Sequence, residues 1–523
     1  MNQKIPVVVA SLIAASLTAQ CKQPGSIRTE SEMRYLNRPN ILIIMTDQQR
    51  TDMFNFTSDG FFDTPNWEKL AKSGVIFDNA YSSAPICIPS RSSILTGLED
   101  FRYQKTPGDI WDNLTAGTWT FARELQAGGY ETAAVGKMHW NPIHSDNGFD
   151  YLRLCEHIAA WPYGPNDRDD YVDWLSQQGK ESYLWRLTHK FEPSYGYDAN
   201  NPENVAVRTD FSNNDQSVVF YDDKYYHPTE WVKRETINYL NNARNKSKPF
   251  MLFASFPHPH QPYDPPEPYA SMYDWKEFQL PKVDADINAH LAPDAKQIMD
   301  SGGLGGLPGV KTATLNKEVQ QKMSIYQKAL IKGIDDAIGE ILQNVDLNNT
   351  VVIYTSDHGD YYGQRGYMLK TPGMPFDDLV KIPLYIAGAG IKPGHVSNVV
   401  ANYDIALTCL EMAHIPVPSP GVFNTKSLVP YLSGAPIADD RFVYSGSDNQ
   451  CGWSMMRYQK YKYMFCTRPG VNQEMLFNIE TDPKEKWDLL LSTPMASADL
   501  AMLALLRDEM QKRLAQEVAP KIK

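Results

Sequence analysis

Three uninterrupted apolar runs are the strongest structural signal along the chain. They cover residues 40–46, 250–256 and 351–356. Runs without polar alternation are typical of parallel strands that are buried on both faces. Between the second and the third run, residues 323–342 place apolar side chains three and four positions apart, which predicts a helix. The pattern therefore predicts an α/β protein in which a large, mostly parallel or mixed sheet is sandwiched by helices.

Polar side chains follow each run directly. Asp47 and Gln48 come after the first run and Asp357 and His358 after the third, while the second leads into a Pro-His-Pro-His loop at residues 257–260. Open α/β sheets place their sites at the carboxyl ends of strands. We therefore expect the two pairs to face each other across one pocket, where carboxylate and amide oxygens suit a hard divalent cation. The alternative is that these carboxylates cap neighbouring helices.

Two other segments depart from the strand and helix pattern. Residues 155–230 are rich in Trp, Tyr, Asp, Asn and Pro without clear periodicity, which predicts long loops along one edge of the sheet and no core. From about residue 435, short strand-like pieces precede a helical stretch over residues 496–516. We therefore expect a small C-terminal α+β subdomain over residues 435–523, after a main domain over residues 38–434.

Composition and charge exclude two broad classes of protein. The chain has 523 residues, of which 42% are hydrophobic and 11% aromatic, and this excludes wholesale disorder. Lys and Arg number 50 against 62 Asp and Glu, which gives a formal net charge of −12. A field of this sign repels phosphate backbones, so no nucleic-acid partner is expected. An anionic substrate would need a local cluster of cations.

Residues 1–21 have the pattern of an export signal. Lys4 precedes an apolar run over residues 5–19 that is too short and too weakly flanked for a stable transmembrane helix. Cys21 either carries lipid, as in a lipoprotein signal, or follows an ordinary cleavage site. Residues 22–37 are polar and predict an extended tether. We expect an exported protein, in the periplasm or lipid-anchored at the bacterial cell envelope, whose membrane contact is limited to lipid on Cys21.

Six cysteines are too few for a disulfide framework, so each is interpreted separately. Cys451 and Cys466 flank a predicted strand pair and form either a disulfide in an oxidising compartment or two free buried thiols. Cys155 and Cys409 are expected to be packing residues.

Cys87 lies in a segment of different character. Residues 83–97 place it just before a helix-like stretch that ends at Gly97. A side chain at a helix N-terminus meets free backbone N–H groups and the positive end of the helix dipole, which favour anions and activate nucleophiles. Arg91, one turn later, adds a permanent cation with forked donors that suit a tetrahedral oxyanion. Taken alone, these two residues also fit a buried structural cysteine beside a surface arginine.

The complete string from Cys87 to Gly97 resembles the defining signature of the type I sulfatase family, which is Cys-x-Pro-Ser-Arg followed by a short helix ending in Thr-Gly. Residues 129–139 resemble the second signature of that family, and residues 148–150 and 476–485 match further motifs. The resemblance implies an alkaline-phosphatase-like fold and a sulfatase catalytic domain over the main domain.

The resemblance also implies that Cys87 is oxidised to formylglycine, an aldehyde whose hydrate is the nucleophile. Pro89 and Arg91 belong to the recognition sequence for this oxidation. The expected partner is a formylglycine-generating or anaerobic maturation enzyme. One hydroxyl of the hydrate attacks the substrate, and the other later expels sulfate and regenerates the aldehyde.

Further roles follow from the same resemblance. The cations that would surround the sulfate oxygens are Arg91, Lys137 and Lys370. His139 would assist the hydrate and its collapse, and His260 would protonate the leaving alcohol oxygen.

The implied metal ligands are Asp47, Gln48, Asp357 and His358. The family most often has Asp where Gln48 stands, and many members have Asn where His358 stands. The first change removes one negative charge, and the second adds a nitrogen to a set of oxygens. Calcium is the expected metal, with magnesium as the alternative.

The sequence therefore predicts an exported, formylglycine-dependent hydrolase of sulfate esters, with a sulfated carbohydrate as substrate. One alternative is a hydrolase of phosphonate or phosphate monoesters, because these esters also present tetrahedral oxyanions. The other is a surface binder of sulfated glycans in which Cys87 stays a thiol.

Overall fold

The computed structural model describes residues 38–99, 114, 117–156, 168–180, 217–220, 222–303, 309–417, 425–433, 437–438, 440–446 and 451–515. The predicted signal at residues 1–21, with Cys21, and the tether at residues 22–37 lie outside the described residues. Within the described part of the chain, no helix combines the length and apolar character that a membrane span requires.

A mixed sheet of eight strands forms the centre of the described molecule. Its strand order is β10-β2-β9-β7-β1-β5-β3-β4. The strands are β1 (Asn40–Thr46), β2 (Val75–Tyr81), β3 (Glu131–Gly136), β4 (Tyr151–Leu154), β5 (Phe250–Ser255), β7 (Thr350–Ser356), β9 (Leu384–Gly388) and β10 (Gly394–Ala401). Only β9 runs antiparallel to its neighbours in this sheet. The predicted fold class is confirmed, and the three apolar runs are the adjacent central strands β7, β1 and β5.

Helices cover both faces of this sheet. The helices of the described residues, on this sheet and elsewhere, are α1 (Pro65–Lys72), α2 (Cys87–Thr96), α3 (Phe121–Ala127), α4 (Asp170–Gln177), α5 (Pro228–Asn238), α6 (Tyr269–Met272), α7 (Pro293–Ser301), α8 (Lys317–Leu342), α9 (Asp377–Val380), α10 (Asp404–Met412) and α11 (Ser497–Ala515). Ile43 of β1 packs with α2, α3 and α10, whereas Leu42 packs with α1, α5 and α8. Because alternate side chains of a strand point to opposite faces, a strand covered on both sides must be apolar throughout.

A second, smaller sheet is antiparallel and lies near the C-terminus. It contains β11 (Val443–Gly446), β12 (Trp453–Tyr458), β13 (Tyr461–Cys466) and β14 (Glu474–Asn478) in that order. Leu506 and Met510 of α11 pack on one face of this sheet. The predicted C-terminal α+β subdomain is therefore confirmed, while its boundary at residue 435 stays a prediction. The short strands β6 (Val310–Lys311) and β8 (Tyr367–Met368) form a separate pair.

The expectation of loops throughout residues 155–230 is wrong for two stretches. Helix α4 buries Tyr171, Val172 and Leu175 in the core against the sheet, and the first turn of α5 buries Pro228, Thr229 and Glu230. The amphipathic pattern of α4 is only two turns long and is surrounded by Asp and aromatic residues, so periodicity did not reveal it. Residues 157–167 and 181–216 of this segment lie outside the described residues.

The described cysteines are all buried, and none of them is in a disulfide. Cys155 and Cys409 lie in the two apolar clusters that flank the main sheet, as expected of packing residues. Cys451 and Cys466 are not bonded to each other in this structure, which favours the second of their two interpretations.

Gly136 ends β3 at a close approach between two strands. Its φ is 91°, and a Cβ built there would lie 1.9 Å from the main-chain oxygen of Ser255 on β5. Lys137 follows at once, and its N–H donates to that same oxygen at 2.8 Å. Glycine at this position therefore keeps the end of β3 against β5 and fixes where Lys137 leaves the sheet.

Replacing Gly136 by Ala should destabilise the protein more than Gly129→Ala does. Gly129 is a matched control because its φ is 90° but a Cβ there would meet nothing within 4 Å. The left-handed conformation costs roughly 1–2 kcal/mol at either position. We expect Gly136→Ala to lower the free energy of unfolding, measured by urea denaturation, by at least about 2 kcal/mol more than the control. Equal losses of unfolding free energy in the two variants would show that the close approach of β3 to β5 is not the reason for glycine at position 136.

Candidate active site

Two adjacent parallel strands bring the four predicted metal-ligating residues together. β1 and β7 pair in register up to Thr46 and Ser356, so the residues that follow each strand emerge side by side. The N–H groups of Gln48 and His358 both donate to Oδ1 of Asp357, at 3.0 and 2.9 Å. The two strand ends are thus joined through one buried carboxylate.

Cys87 occupies the first position of α2 and faces this pair of strand ends. No side chain caps the start of the helix, and α2 is buried along its whole length. The Cys87 Sγ lies 3.1 Å from Nε2 of His358 and 3.1 Å from Nζ of Lys370, with Oδ1 of Asp47 at 3.6 Å. Burial raises the pKa of the Cys87 thiol, but the nearby positive charges of Lys370 and Lys137 contribute to a net lowering.

Arg91 contacts both of the carboxylates that are predicted to bind a metal, those of Asp47 and Asp357. Its Nε donates to Oδ2 of Asp357 at 2.8 Å, and its Nη2 donates to Oδ2 of Asp47 at 3.0 Å. The remaining terminal nitrogen donates to Oγ of Ser255 at 2.9 Å. Arg91 is 3% exposed, so its role in this structure is to balance buried negative charge and fix the carboxylates.

Lys137 adds a second buried cation to the same carboxylate. Its Nζ lies 2.8 Å from Oδ2 of Asp47. Burial raises the pKa of Asp47, but the positive charges of Lys137 and Arg91 contribute to a net lowering that holds this pKa well below its usual range. Asp47 is therefore an anion that is available to bind a cation.

The partly exposed side of the site consists of His139, His260 and Lys370. Lys370 Nζ lies 2.7 Å from Nε2 of His260, while His260 Nδ1 lies 2.6 Å from the main-chain oxygen of Gln261. The carbonyl can only accept, so Nδ1 carries the proton and Nε2 accepts from Lys370. Burial, together with the charges of Lys137 and Lys370, holds the pKa of both histidines well below the usual value. Both imidazoles are neutral in the absence of an anionic ligand.

The donor set at the strand ends fits a divalent cation. His358 Nδ1 donates to the main-chain oxygen of Gly359 at 2.8 Å, which leaves the lone pair of Nε2 for a metal. Donor atoms of Asp47, Cys87, Asp357 and His358 all lie within 4.8 Å of one another. Two carboxylates, one amide and one imidazole make a mostly hard set with a single nitrogen.

Gln48 completes this set because of how its amide is oriented. Its Nε2 donates to Oδ2 of Asp360 at 2.6 Å and to Oε1 of Gln261 at 3.2 Å. A carboxylate cannot donate, so the NH₂ group must face Asp360 and the amide oxygen must face away from it. That oxygen is buried and accepts no hydrogen bond from the described residues, as expected of a metal ligand.

Glu156 is a residue of the site that the motifs did not reveal. Its carboxylate accepts the N–H groups of Met138 at 3.0 Å and His139 at 2.8 Å. His139 has a φ of 63°, an unusual backbone conformation that these two bonds hold in place. Glu156 lies two residues beyond β4, at the same edge of the sheet, so the rule of polar residues after strand ends would have found it.

The chain is similar to known proteins over most of its length. A family model described as Sulfatase matches residues 39–415. The chain is 30% identical over 482 residues to an arylsulfatase of Clostridium perfringens, with 87% of this chain and 91% of the relative covered. It is 29% identical over 488 residues to a choline-sulfatase of Rhizobium meliloti, with 90% and 86% covered.

Two solved structures share the fold. One is a protein in complex with its substrate D-glucosamine-2-N,6-O-disulfate, with a TM-score of 0.66, 21% identity and coverage of 93% of this chain and 100% of the other. The second is a phosphonate monoester hydrolase of Agrobacterium radiobacter, with a TM-score of 0.69, 22% identity and coverage of 91% and 96%.

Proposed function

We propose that this chain removes sulfate from a sulfated carbohydrate, with the aid of a formylglycine made from Cys87 and a bound divalent metal. The chain belongs to the sulfatase family and is therefore a sulfuric ester hydrolase. The observation that carries the proposal is the position of Cys87. It begins a buried helix and lies within 3.6 Å of a lysine, an imidazole and a carboxylate at once.

Two groups that the family generally uses would act in this pocket. A hydrated formylglycine at position 87 supplies one hydroxyl as nucleophile and a second hydroxyl that restores the aldehyde. A divalent metal held by Asp47, Gln48, Asp357 and His358 supplies positive charge that offsets the negative charge of a sulfate group. We propose calcium, with magnesium as the alternative.

The chain itself provides charge and proton transfer around these groups. Lys137 and Lys370 both lie close enough to Cys87 to lower its pKa, and they would bind the oxygens of the sulfate, where charge grows as the ester bond breaks. Arg91 holds Asp47 and Asp357 in place beneath them. His260, held by Lys370 on the exposed side, would give a proton to the leaving alcohol oxygen, and His139 would move protons at residue 87.

The carbohydrate substrate and the exported location are also part of this proposal. The structural neighbour solved with a disulfated glucosamine supports a sugar substrate. The name of the choline-sulfatase relative, in contrast, indicates a sulfate ester of a different alcohol. The export signal at residues 1–21 supports a periplasmic or lipid-anchored enzyme that meets glycans outside the cytoplasm. A formylglycine-generating or anaerobic maturation enzyme would act on Cys87 before export.

Hydrolysis of phosphonate or phosphate monoesters is the second candidate function. It is favoured by the shared fold of the phosphonate monoester hydrolase and by Gln48, which brings no negative charge to the metal site. A less negative site tolerates the second negative charge that a phosphate monoester carries.

Cys87→Ala should abolish hydrolysis without unfolding the protein. Peptide mass spectrometry of wild-type protein co-expressed with a maturation enzyme should show an aldehyde at position 87. Cys409→Ala is the matched control, because Cys409 is equally buried but packs among apolar side chains far along the chain from the site. Full hydrolysis by Cys87→Ala would refute the nucleophile. An unmodified thiol in an inactive protein that binds sulfated glycans would favour a binding role.

Removing the metal should abolish activity and lower the melting temperature. A chelator should do both, because a ligand that binds only the folded state stabilises it by mass action. Calcium, magnesium and manganese are then added back one at a time. The ion that restores both activity and melting temperature is the one that the site uses. Gln48→Leu should weaken metal affinity by about 10-fold or more, whereas Gln459→Leu on the surface should not. Unchanged activity and melting temperature after chelation would contradict a metal-dependent site.

Matched esters should separate the two candidate functions. A nitrophenyl sulfate and a nitrophenyl phenylphosphonate share one leaving group and the same single negative charge, and they differ in the central atom and in the phenyl group that replaces one oxygen. We expect kcat/KM to be higher for the sulfate. A phosphonate preferred by orders of magnitude would replace the first function by the second. If the sulfate is preferred, a panel of sulfated mono- and oligosaccharides tests the sugar substrate.

A further inference from the structure

His258 lies in the same loop as His260 but is buried completely, so it cannot meet the substrate. Its Nε2 lies 3.0 Å from Oδ1 of Asp264, and its Nδ1 lies 3.1 Å from the hydroxyl of Thr229. Its main-chain oxygen accepts the N–H of Asp47 at 3.3 Å. These three polar contacts indicate that His258 has a role in addition to packing in the core.

The bond between His258 and Asp264 closes a short loop. These two residues lie six positions apart, and His260 and Gln261 are near its apex. One end of the loop continues β5, where the N–H of Phe256 donates to the main-chain oxygen of Met45 at 2.8 Å. Bridging the two ends of a loop removes much of the conformational freedom of the residues between them.

A third residue, His227, lies close to Asp264. His227 caps α5, where its Nδ1 accepts the N–H of Thr229 at 3.2 Å, and so its Nε2 carries the proton in the neutral ring. That Nε2 lies 3.8 Å from the same Oδ1 of Asp264. The two imidazoles lower the pKa of Asp264 in spite of its burial, and burial lowers the pKa of His258 to about 4. The carboxylate of Asp264 therefore accepts a hydrogen bond from the neutral ring of His258.

His227, His258 and Asp264 are residue types that bind metals, and their ligand atoms lie close together. Their geometry, however, does not suit a metal site. The rings of His227 and His258 are stacked, with centroids 4.6 Å apart and planes at 18°. An ion bound by a histidine lies near the plane of that ring, so two stacked rings cannot both direct a lone pair at one ion. The hydrogen bonds also place protons on both Nε2 atoms.

We propose that His258 and Asp264 are positioning residues, and that the hydrogen bond between them sets the place from which His260 protonates the leaving oxygen. This inference rests on the proposed function. In the step concerned, the nucleophilic oxygen at residue 87 would bond to the central atom while the bond from that atom to the leaving oxygen breaks. The leaving oxygen keeps the electron pair of the broken bond, and His260 in its protonated form gives that oxygen a proton. A displaced His260 would slow this step only when the leaving group needs the proton.

Leaving-group dependence is the test. An alkyl ester has a strongly basic leaving oxygen, whereas a nitrophenyl ester has a weakly basic one. His258→Leu should lower kcat for the alkyl ester by about 100-fold and for the nitrophenyl ester by less than about 5-fold. His258→Gln keeps a donor near the place of Nε2 and should restore most of the alkyl activity. The substrate pair is made as sulfates or as phosphonates, whichever the enzyme hydrolyses, so a failed first function does not affect the result.

A double-mutant cycle and two controls complete the design. In a His260→Ala background, His258→Leu should cost almost nothing further on the alkyl ester, because the group that it positions is gone. His395→Gln is the matched control: His395 also lies 3.0 Å from a carboxylate, that of Asp78, but is exposed and near the opposite end of the sheet. Thr229→Val serves if His258→Leu does not fold, and a smaller loss with the same selectivity is expected.

Three results would overturn the proposal. Equal losses on both esters would indicate a general structural role for His258. Additive losses in the double-mutant cycle would show that His258 does not act through His260. A second metal ion in the wild-type protein, found by elemental analysis and lost in His258→Gln, would make the cluster a metal site.

Discussion

The site depends on two neighbouring carboxylates that are buried in the protein interior. Asp47 and Asp357 follow adjacent parallel strands and are both fully buried, so their charges repel strongly unless cations lie close. Arg91 contacts both carboxylates with different nitrogens, and Lys137 contacts Asp47. Removing one partner from such a cluster leaves a buried charge without compensation, which is strongly destabilising. The cluster therefore binds the sheet, α2 and the loop after β3 to one another.

The sheet makes this arrangement possible by ending its central strands together. Because β7, β1 and β5 are parallel and in register, residues from distant parts of the chain emerge at one edge. The close approach of β3 to β5 at Gly136 brings Lys137 to the same edge. Helix α2 then points its N-terminus at that edge, so Cys87 meets side chains from separate strands and loops.

Three buried carboxylates outside the pocket share a second task. Glu156 holds the main chain at His139, Asp264 holds His258, and Asp360 orients the amide of Gln48. Each lies on a loop at the carboxyl edge of the sheet and fixes a different part of the site. The buried half of the site concentrates charge, and the partly exposed half, with His139, His260 and Lys370, handles protons. Rigid support of both halves keeps the reacting groups at fixed distances.

The sequence by itself determined the class of fold, the three central strands and the residues at their ends, because continuous apolar runs and the polar residues after them are local patterns. The signature from Cys87 to Gly97 likewise identified the family, because it is contiguous. Helices α4 and α5 were missed since their buried faces are short and lie among polar and aromatic residues. Only the tertiary structure decided which way the Gln48 amide faces, that Arg91 bridges two carboxylates, and that Glu156 and Asp264 support the site. Those facts depend on contacts between residues far apart in the chain, and no local pattern of side chains encodes such contacts.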